Sequence, residues 1–293
     1  MKEVKLKAYG KVNLGLDVTG QRPDGYHLVK MVMQTVNIFD EITVTADSQG
    51  KKTDPGIIIT CDKASVPTDE RNLAYKAADI ICRKYDITQP LHIDIVKNIP
   101  MEAGMAGGSA DAAAVIKGMN DLFGLNMTPA EMDDTALKLG ADVPFCLRQG
   151  TYLAEGIGEK LTRLPDIMHC FMVLIKPQIS VSTPWAYKAL DQLISDPDCK
   201  VVHPDLDELI KSLETGDLQR MTNSMGNILE EPVIRKYPEI GEIKKKLVDN
   251  GALAALMSGS GSVVFGIFTD PQTAEIASKY FGGEKYGKFK VEF

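Results

Sequence analysis

The stretch Leu91–Gly124 constrains the chain more than any other. Leu91, Ile93 and Ile95 alternate with His92, Asp94 and Val96, which predicts a short strand ending near Lys97. The segment Pro100-Met101-Glu102-Ala103-Gly104-Met105-Ala106-Gly107-Gly108-Ser109-Ala110 then reads as a loop. After it Ala112, Ala113, Val115, Ile116, Met119 and Phe123 recur at helical spacing until Gly124 stops the run. Strand, glycine-rich loop and helix together can cradle a phosphate. Glycines let backbone N–H groups approach an anion, and the helix start favours negative charge. A Walker A loop is excluded because no Lys follows Gly107 or Gly108, and the spacing of a dinucleotide fingerprint is absent. A glycine-rich turn that serves only helix packing is the competing reading.

The rest of the chain supplies enough material for a large folded protein around this stretch. Its 293 residues suit one large domain or two ordinary ones, with 44% hydrophobic and 25% charged residues. The formal net charge of -7 argues against a general nucleic-acid binder but leaves room for an anionic small substrate. The one dense basic run, Lys244-Lys245-Lys246, reads as the solvated face of a helix. Lys2, Glu3, Lys5, Lys7 and Lys11 leave no apolar core for a signal peptide, and no run approaches a membrane span. Cys61, Cys82, Cys146, Cys170 and Cys199 form no C-x-x-C pair and read as reduced thiols, so a cytoplasmic protein without membrane partners is expected. His27, His92, His169 and His203 lack metal-ligand spacing.

The first third reads as mostly β: Val4–Ala8, Val12–Val18, Val29–Ile38, Ile42–Ala46 and Ile57–Cys61, with strong turn chemistry at Gly20–Gly25. A helix is predicted from Asn72 to Lys84. Thr128-Pro129-x-Glu131 announces another that ends near Gly140, by its N-cap, Pro and capping-box positions. Asp142 then stands near the start of a short helix, and Tyr152–Ala154 with Gly158–Leu161 fits a hairpin. A domain change is expected between Leu161 and His169, giving domains 1–163 and 164–293. Beyond it come a strand from Cys170 to Lys176, a helix capped by Ser182-Thr183-Pro184, and helices from Leu206, Leu218 and Glu239. Strands at Ala252–Met257 and Val263–Phe268 bracket a Ser/Gly loop, before a helix from Pro271 to Phe281 and a last strand from Lys288 to Phe293. The only low-complexity segment is a mildly polar loop at Asp47 to Asp54.

Three further places could carry chemistry. Lys11 and Asn13 share one face of a strand, where a cation could stabilise charge and an amide could orient a substrate. A solvated Lys is the plainer reading. Asp142 could orient an alcohol and accept its proton, or cap the helix at Val143, or both. Ser258-Gly259-Ser260-Gly261-Ser262 could close over phosphates, pack against the first glycine loop, or form an ordinary hairpin turn.

Taken together, these segments resemble the GHMP small-molecule kinases. The likeness rests on Lys11-Val12-Asn13-Leu14, Gly20–His27, Pro100–Ala110, Leu139-Gly140-Ala141-Asp142-Val143-Pro144-Phe145 and Met257–Gly261, in family order and over nearly the whole chain. It is strongest to the branch that acts on a cytidyl diphosphate substrate. The resemblance implies an α+β fold with a ribosomal-S5-like N-terminal domain, a ferredoxin-like C-terminal domain and the site in the cleft between them. It implies ATP, with Mg²⁺ held through the phosphates, and a monomer or weak homodimer. Lys11 and Asp142 would be the catalytic pair and Asn13 would touch the substrate. Tyr26 and His27 would recognise cytosine, with Tyr187 as the opposing aromatic face and Trp185 as its competitor. Asn72 would lie near adenine. Pro100, Met101, Glu102, Ala103, Gly104, Met105, Ala106, Gly107, Gly108, Ser109 and Ala110 would wrap the triphosphate, joined by Ser258, Gly259, Ser260 and Gly261. The loop departs from the family's usual form at Met105, at Ala110, where a second Ser is common, and at Glu102, a carboxylate placed among phosphates. A homoserine or mevalonate type of kinase, or a catalytically silent nucleotide-binding regulator, remains the alternative.

Overall fold

Two long strands replace four of the expected short ones. In the computed structural model, which describes residues 2–47, 56–282 and 285–293, β1 (Lys2–Gln21) joins the first two stretches into one strand. Likewise β2 (His27–Ala46) absorbs Val29–Ile38 and Ile42–Ala46. Apart from Asp47, the polar loop expected up to Asp54 lies outside the described residues.

The chain continues through β3 (Ile57–Cys61), α1 (Leu73–Lys84), β4 (Leu91–Val96), α2 (Gly107–Phe123), α3 (Pro129–Leu137) and α4 (Val143–Cys146). A hairpin of β5 (Thr151–Gly156) and β6 (Lys160–Arg163) leads to β7 (Phe171–Pro177) and α5 (Thr183–Ser195). Then come α6 (Leu206–Thr215), α7 (Leu218–Ser224), β8 (Gly226–Asn227), α8 (Glu230–Lys236) and α9 (Pro238–Asp249). The last elements are β9 (Ala254–Met257), β10 (Val264–Phe268), α10 (Pro271–Lys279) and β11 (Tyr286–Glu292). Of these, β8 and α8 are absent from the sequence reading: one is two residues long, and the other is about two turns with Pro232 in its first turn.

Two compact units form, neither contiguous in sequence. The first comprises Met1–Gly10, Ile38–Ile99 and Ala106–Gln149; the second comprises Lys11–Asn37, Pro100–Met105 and Gly150–Phe293.

In the first unit β4 pairs antiparallel with β2, from Glu41 opposite Val96 to Ala46 opposite Leu91, and parallel with β3. Val44, Ile93 and Ile95 are fully buried there. A Cβ at Gly118 would come within 2.8 Å of Leu6 and 3.2 Å of Val44, so the missing side chain lets α2 lie close against the strands. The capping box at α3 is complete: Thr128 Oγ1 accepts from the Glu131 N–H, and Glu131 Oε2 accepts from the Thr128 N–H at 2.9 Å.

In the second unit β5 pairs with residues 29–34 of β2 and with β6, while β8 runs parallel to β1 at Gly15 and Leu16. A separate antiparallel sheet has the order β11-β7-β10-β9. Its strands bury Val173, Leu174, Phe265 and Ile267, and α9 contributes the buried Ile243 and Leu247. The basic run on α9 is not a uniform solvated face. Lys244 donates to the half-buried Glu230 at 2.5 Å, whose other oxygen accepts from the Met257 N–H at 2.7 Å. Burial, ahead of its ion pair, raises the Glu230 carboxyl above the usual range. Lys245, paired with Asp249, and Lys246 are both exposed, as the surface reading expects.

Candidate active site

Residues 10–16 of β1 are buried on both faces, which is unusual ground for a lysine. Lys11 is 4% exposed and Asn13 is fully buried. Their side chains meet: Lys11 Nζ donates to Asn13 Oδ1 at 2.6 Å and to the Gly104 carbonyl at 2.9 Å. The same carbonyl accepts from Ser258 Oγ at 2.9 Å, and Ser258 Oγ accepts from the Asn13 N–H at 3.3 Å. Backbone bonds reinforce the join, from Lys11 N–H to Met105 O and from Val263 N–H to Ala103 O.

The second glycine loop therefore packs on the first, and steric fit enforces it. Gly104 holds φ +72°, and a Cβ there would overlap the Ser258 carbonyl oxygen and sit 2.9 Å from its carbon. Asn227 anchors the second loop from below, its amide donating to Met257 O and Gly259 O at 2.8 Å each. Nothing in the sequence singles Asn227 out, because an isolated Gly-Asn pair is ordinary turn composition. Thr183 and Ser260 share a hydroxyl–hydroxyl bond of 2.8 Å, while Ser182, at the N-cap of α5, makes no side-chain cap bond. Glu102 is exposed, with its backbone at φ 50°. Burial lowers the Lys176 pKa, and the charge of Glu102 partly offsets this.

The first unit holds the start of α2. Helix begins at Gly107, three residues before the end of the expected loop, because Ala106 turns the chain into it from a left-handed conformation at φ 57°. Ala106 makes no side-chain cap bond to the first N–H groups of this helix. Beneath them lies a buried ionic cluster. Lys97 Nζ donates to Asp40 and, at 2.7 Å, to Asp111 Oδ2, and a Cβ at Gly107 would be 3.4 Å from that ammonium. Asp40 Oδ1 also accepts from the Asn98 and Ile99 N–H groups. Among the described residues, Asp111 Oδ1 is a buried side-chain oxygen with no hydrogen-bond partner. Burial, opposed by Lys97, raises the Asp111 carboxyl to about 7; for Lys97, burial works against two carboxylates that raise its pKa. Sequence reading missed this triad, since Lys97, Asp40 and Asp111 are far apart in the chain and each looks like a surface charge.

Asn72 caps α1, its oxygen accepting from the Ala74 N–H at 2.8 Å and its amide donating to Pro67 O at 2.7 Å. The adjoining Leu73 lies 3.9 Å from where a Cβ on Gly108 would be, so α1 and α2 begin side by side. Asp142 occupies the N-cap position of α4 without a side-chain cap bond, which removes the capping role as an account of its side chain. Arg148 fixes that segment by pairing with Asp133 through two bonds and donating to Pro144 O at 2.8 Å.

On the second unit, His27 begins β2. Its ring stacks on Tyr187 at 4.7 Å between centroids and 28° between planes, and its Nε2–H donates to Asp191 Oδ1 at 2.8 Å. Tyr26 is 61% exposed, 6.0 Å from the Arg22 guanidinium. Trp185 instead meets Tyr237 edge-on and carries Lys236 over its ring.

Comparison with known proteins fits this arrangement. Residues 72–150 match the GHMP kinases N terminal domain and residues 200–288 the GHMP kinases C terminal domain. The chain belongs to the GHMP kinase family. Within it, the chain is 46% identical over 279 residues to the 4-diphosphocytidyl-2-C-methyl-D-erythritol kinase of Acetivibrio thermocellus, covering 94% of each. It is 47% identical over 268 residues to the protein of that name from Clostridium botulinum, covering 91% of each. A crystal structure of 4-(cytidine 5'-diphospho)-2C-methyl-D-erythritol kinase superposes with a TM-score of 0.79 at 29% identity, over 99% of this chain and 100% of that one. Homoserine kinase from Cytophaga hutchinsonii shares the fold, with a TM-score of 0.76 at 22% identity over 100% and 96% of the chains.

Proposed function

We propose that the chain transfers the γ-phosphoryl group of ATP to the tertiary 2-hydroxyl of 4-diphosphocytidyl-2-C-methyl-D-erythritol, a step of non-mevalonate isoprenoid precursor biosynthesis. The observation that carries the reading is whole-length likeness to proteins of that name at 46% identity and 94% coverage.

The residue roles follow from chemistry. The uncapped start of α2 suits a polyphosphate: Gly107 and Gly108 present backbone N–H groups, and the helix dipole favours the negative charge. Residues Pro100 to Ala110 and Ser258 to Gly261 wrap the triphosphate, and Asn72 lies toward adenine. Mg²⁺, when bound, neutralises charge on the phosphate oxygens. Lys11 steadies developing charge at the acceptor oxygen, and Asp142 orients the hydroxyl and takes its proton. Lys11 is suited to this because Asn13 and the Gly104 carbonyl hold its ammonium still, so little reorganisation is needed in the transition state. Asn13 contacts the polyol, and Tyr26, His27 and Tyr187 recognise the cytosine. No covalent enzyme intermediate is required. A cytoplasmic monomer or weak homodimer divided into residues 1–163 and 164–293 completes the reading. That division is supported by family matches at 72–150 and 200–288, on either side of it.

Turnover of the cytidyl substrate, compared with homoserine and mevalonate under identical ATP and Mg²⁺, tests the proposal. Preference for either of the latter two, or no turnover of any, would overturn it.

A further inference from the structure

We propose that Asp191 is a positioning residue for base recognition, holding His27 in the ring orientation and tautomer that present Nδ1 as a hydrogen-bond acceptor. This rests on the assignment of His27 to the cytosine. Tyr187 and Asp191 are one helical turn apart on α5, so both reach the same side of it. Each constrains the imidazole differently. The Tyr187 stack, 4.7 Å between centroids, sets the plane of the ring. The 2.8 Å bond to Asp191 sets its rotation within that plane.

The tautomer follows from the partner. A carboxylate can only accept, so the proton on a neutral His27 lies on Nε2 and the lone pair on Nδ1. An acceptor at that edge matches the exocyclic amine of cytosine. Uracil carries a carbonyl oxygen at the same place, and two lone pairs would then face each other. A buried polar edge made for one partner discriminates strongly against an analogue that leaves it unpaired. One face of His27 is taken by Tyr187, so the imidazole reads the base by its edge, leaving stacking to another ring. Without Asp191 the ring could turn or take the other tautomer, and Nδ1–H would then accept uracil.

The test uses the full-length protein and its Asp191→Ala and Asp191→Asn variants. Imidazole ¹⁵N shifts of His27 in the substrate-free protein should show the Nε2–H form in the parent and a mixture of tautomers in both variants. KM for the cytidyl substrate should rise about tenfold in Asp191→Ala, and preference over the uridyl analogue should fall by about the same factor, as expected for one lost hydrogen bond. KM for ATP and kcat at saturation should stay within about threefold, which a general loss of structure would not allow. Asp191→Asn keeps the volume and serves if the alanine variant fails to fold. An unchanged tautomer or unchanged cytidyl-to-uridyl preference in the variants would overturn the proposal. Failure of the parent protein to use the cytidyl substrate would overturn instead the function on which it rests.

Discussion

The Ser258 carbonyl fills the space that a side chain at Gly104 would need. With Gly104 at φ +72° and the Ser258 carbonyl carbon 2.9 Å from a hypothetical Cβ, the two glycine-rich loops can approach only because this residue has no side chain. The contact also delivers the Gly104 carbonyl to both Lys11 Nζ and Ser258 Oγ. Gly104→Ala must therefore push the loops apart and strain its own backbone. A loss of roughly 2–4 kcal/mol in stability is expected from overpacking plus left-handed strain, with kcat falling alongside. Chemical denaturation and steady-state kinetics read both effects. A variant of parental stability would show that the loops do not bear on each other as described.

Charge at the acceptor hydroxyl provides the second prediction. Asp142→Asn keeps the shape of the side chain but cannot take a proton, so kcat should fall by about 10²–10⁴-fold. Binding of a non-hydrolysable ATP analogue, measured by calorimetry, should be nearly unchanged. Lys11→Ala should also cripple turnover. It additionally takes the Lys11 donor from the buried Asn13 Oδ1 and leaves the Gly104 carbonyl with Ser258 Oγ alone, so its stability should drop by about 1–3 kcal/mol. Near-normal kcat in Asp142→Asn would refute the proton-accepting role.

Tyr26 is 61% exposed, so its removal should hardly affect the fold. Stacking on a base is sequestered binding energy, felt in the ground state and transition state alike. Tyr26→Ala should therefore raise KM for the cytidyl substrate by at least about tenfold with kcat little changed, in line with typical base–aromatic stacking. Equal loss in kcat and kcat/KM would show that Tyr26 acts on the chemistry instead.

How much of this was legible in the sequence depends on the range of the interaction. The capping box at Thr128 and Glu131, the β3 limits and the Gly124 stop are local, and pattern alone locates them. The pairing of Lys11 with Asn13 is also local, because a strand returns to the same face every second residue. The two-loop contact was open between three readings, since nothing in Ser258–Ser262 says what it meets 154 residues away. Asp142 read as a plausible helix cap because position predicts capping, while its backbone adopts the right-handed helical conformation in place of the extended one a capping side chain needs. The resemblance placed His27 and Tyr187 around one base but not stacked on each other, and the Lys97 triad was invisible, since only tertiary folding makes these contacts.

That triad gives the fourth prediction, a pH dependence of stability. Burial holds the Asp111 carboxyl at about 7, against an ordinary value near 4 in the unfolded chain. Between these two values the folded protein binds a proton that the unfolded chain has released. Stability from this group is thus fully present below about pH 4 and is lost as pH rises through about 7. Asp111→Asn cannot ionise, and it leaves Lys97 paired with Asp40 alone. The thermal midpoint of this variant relative to the parent should therefore climb as pH rises from about 4 to 7 and level off above that. Lys97→Met makes the opposite change, leaving two buried carboxylates facing each other, and should cost about 3–5 kcal/mol at neutral pH. Parallel melting curves for Asp111→Asn and the parent across that pH range would mean that Asp111 stays ionised in the fold, and that Lys97 carries both carboxylates as charges.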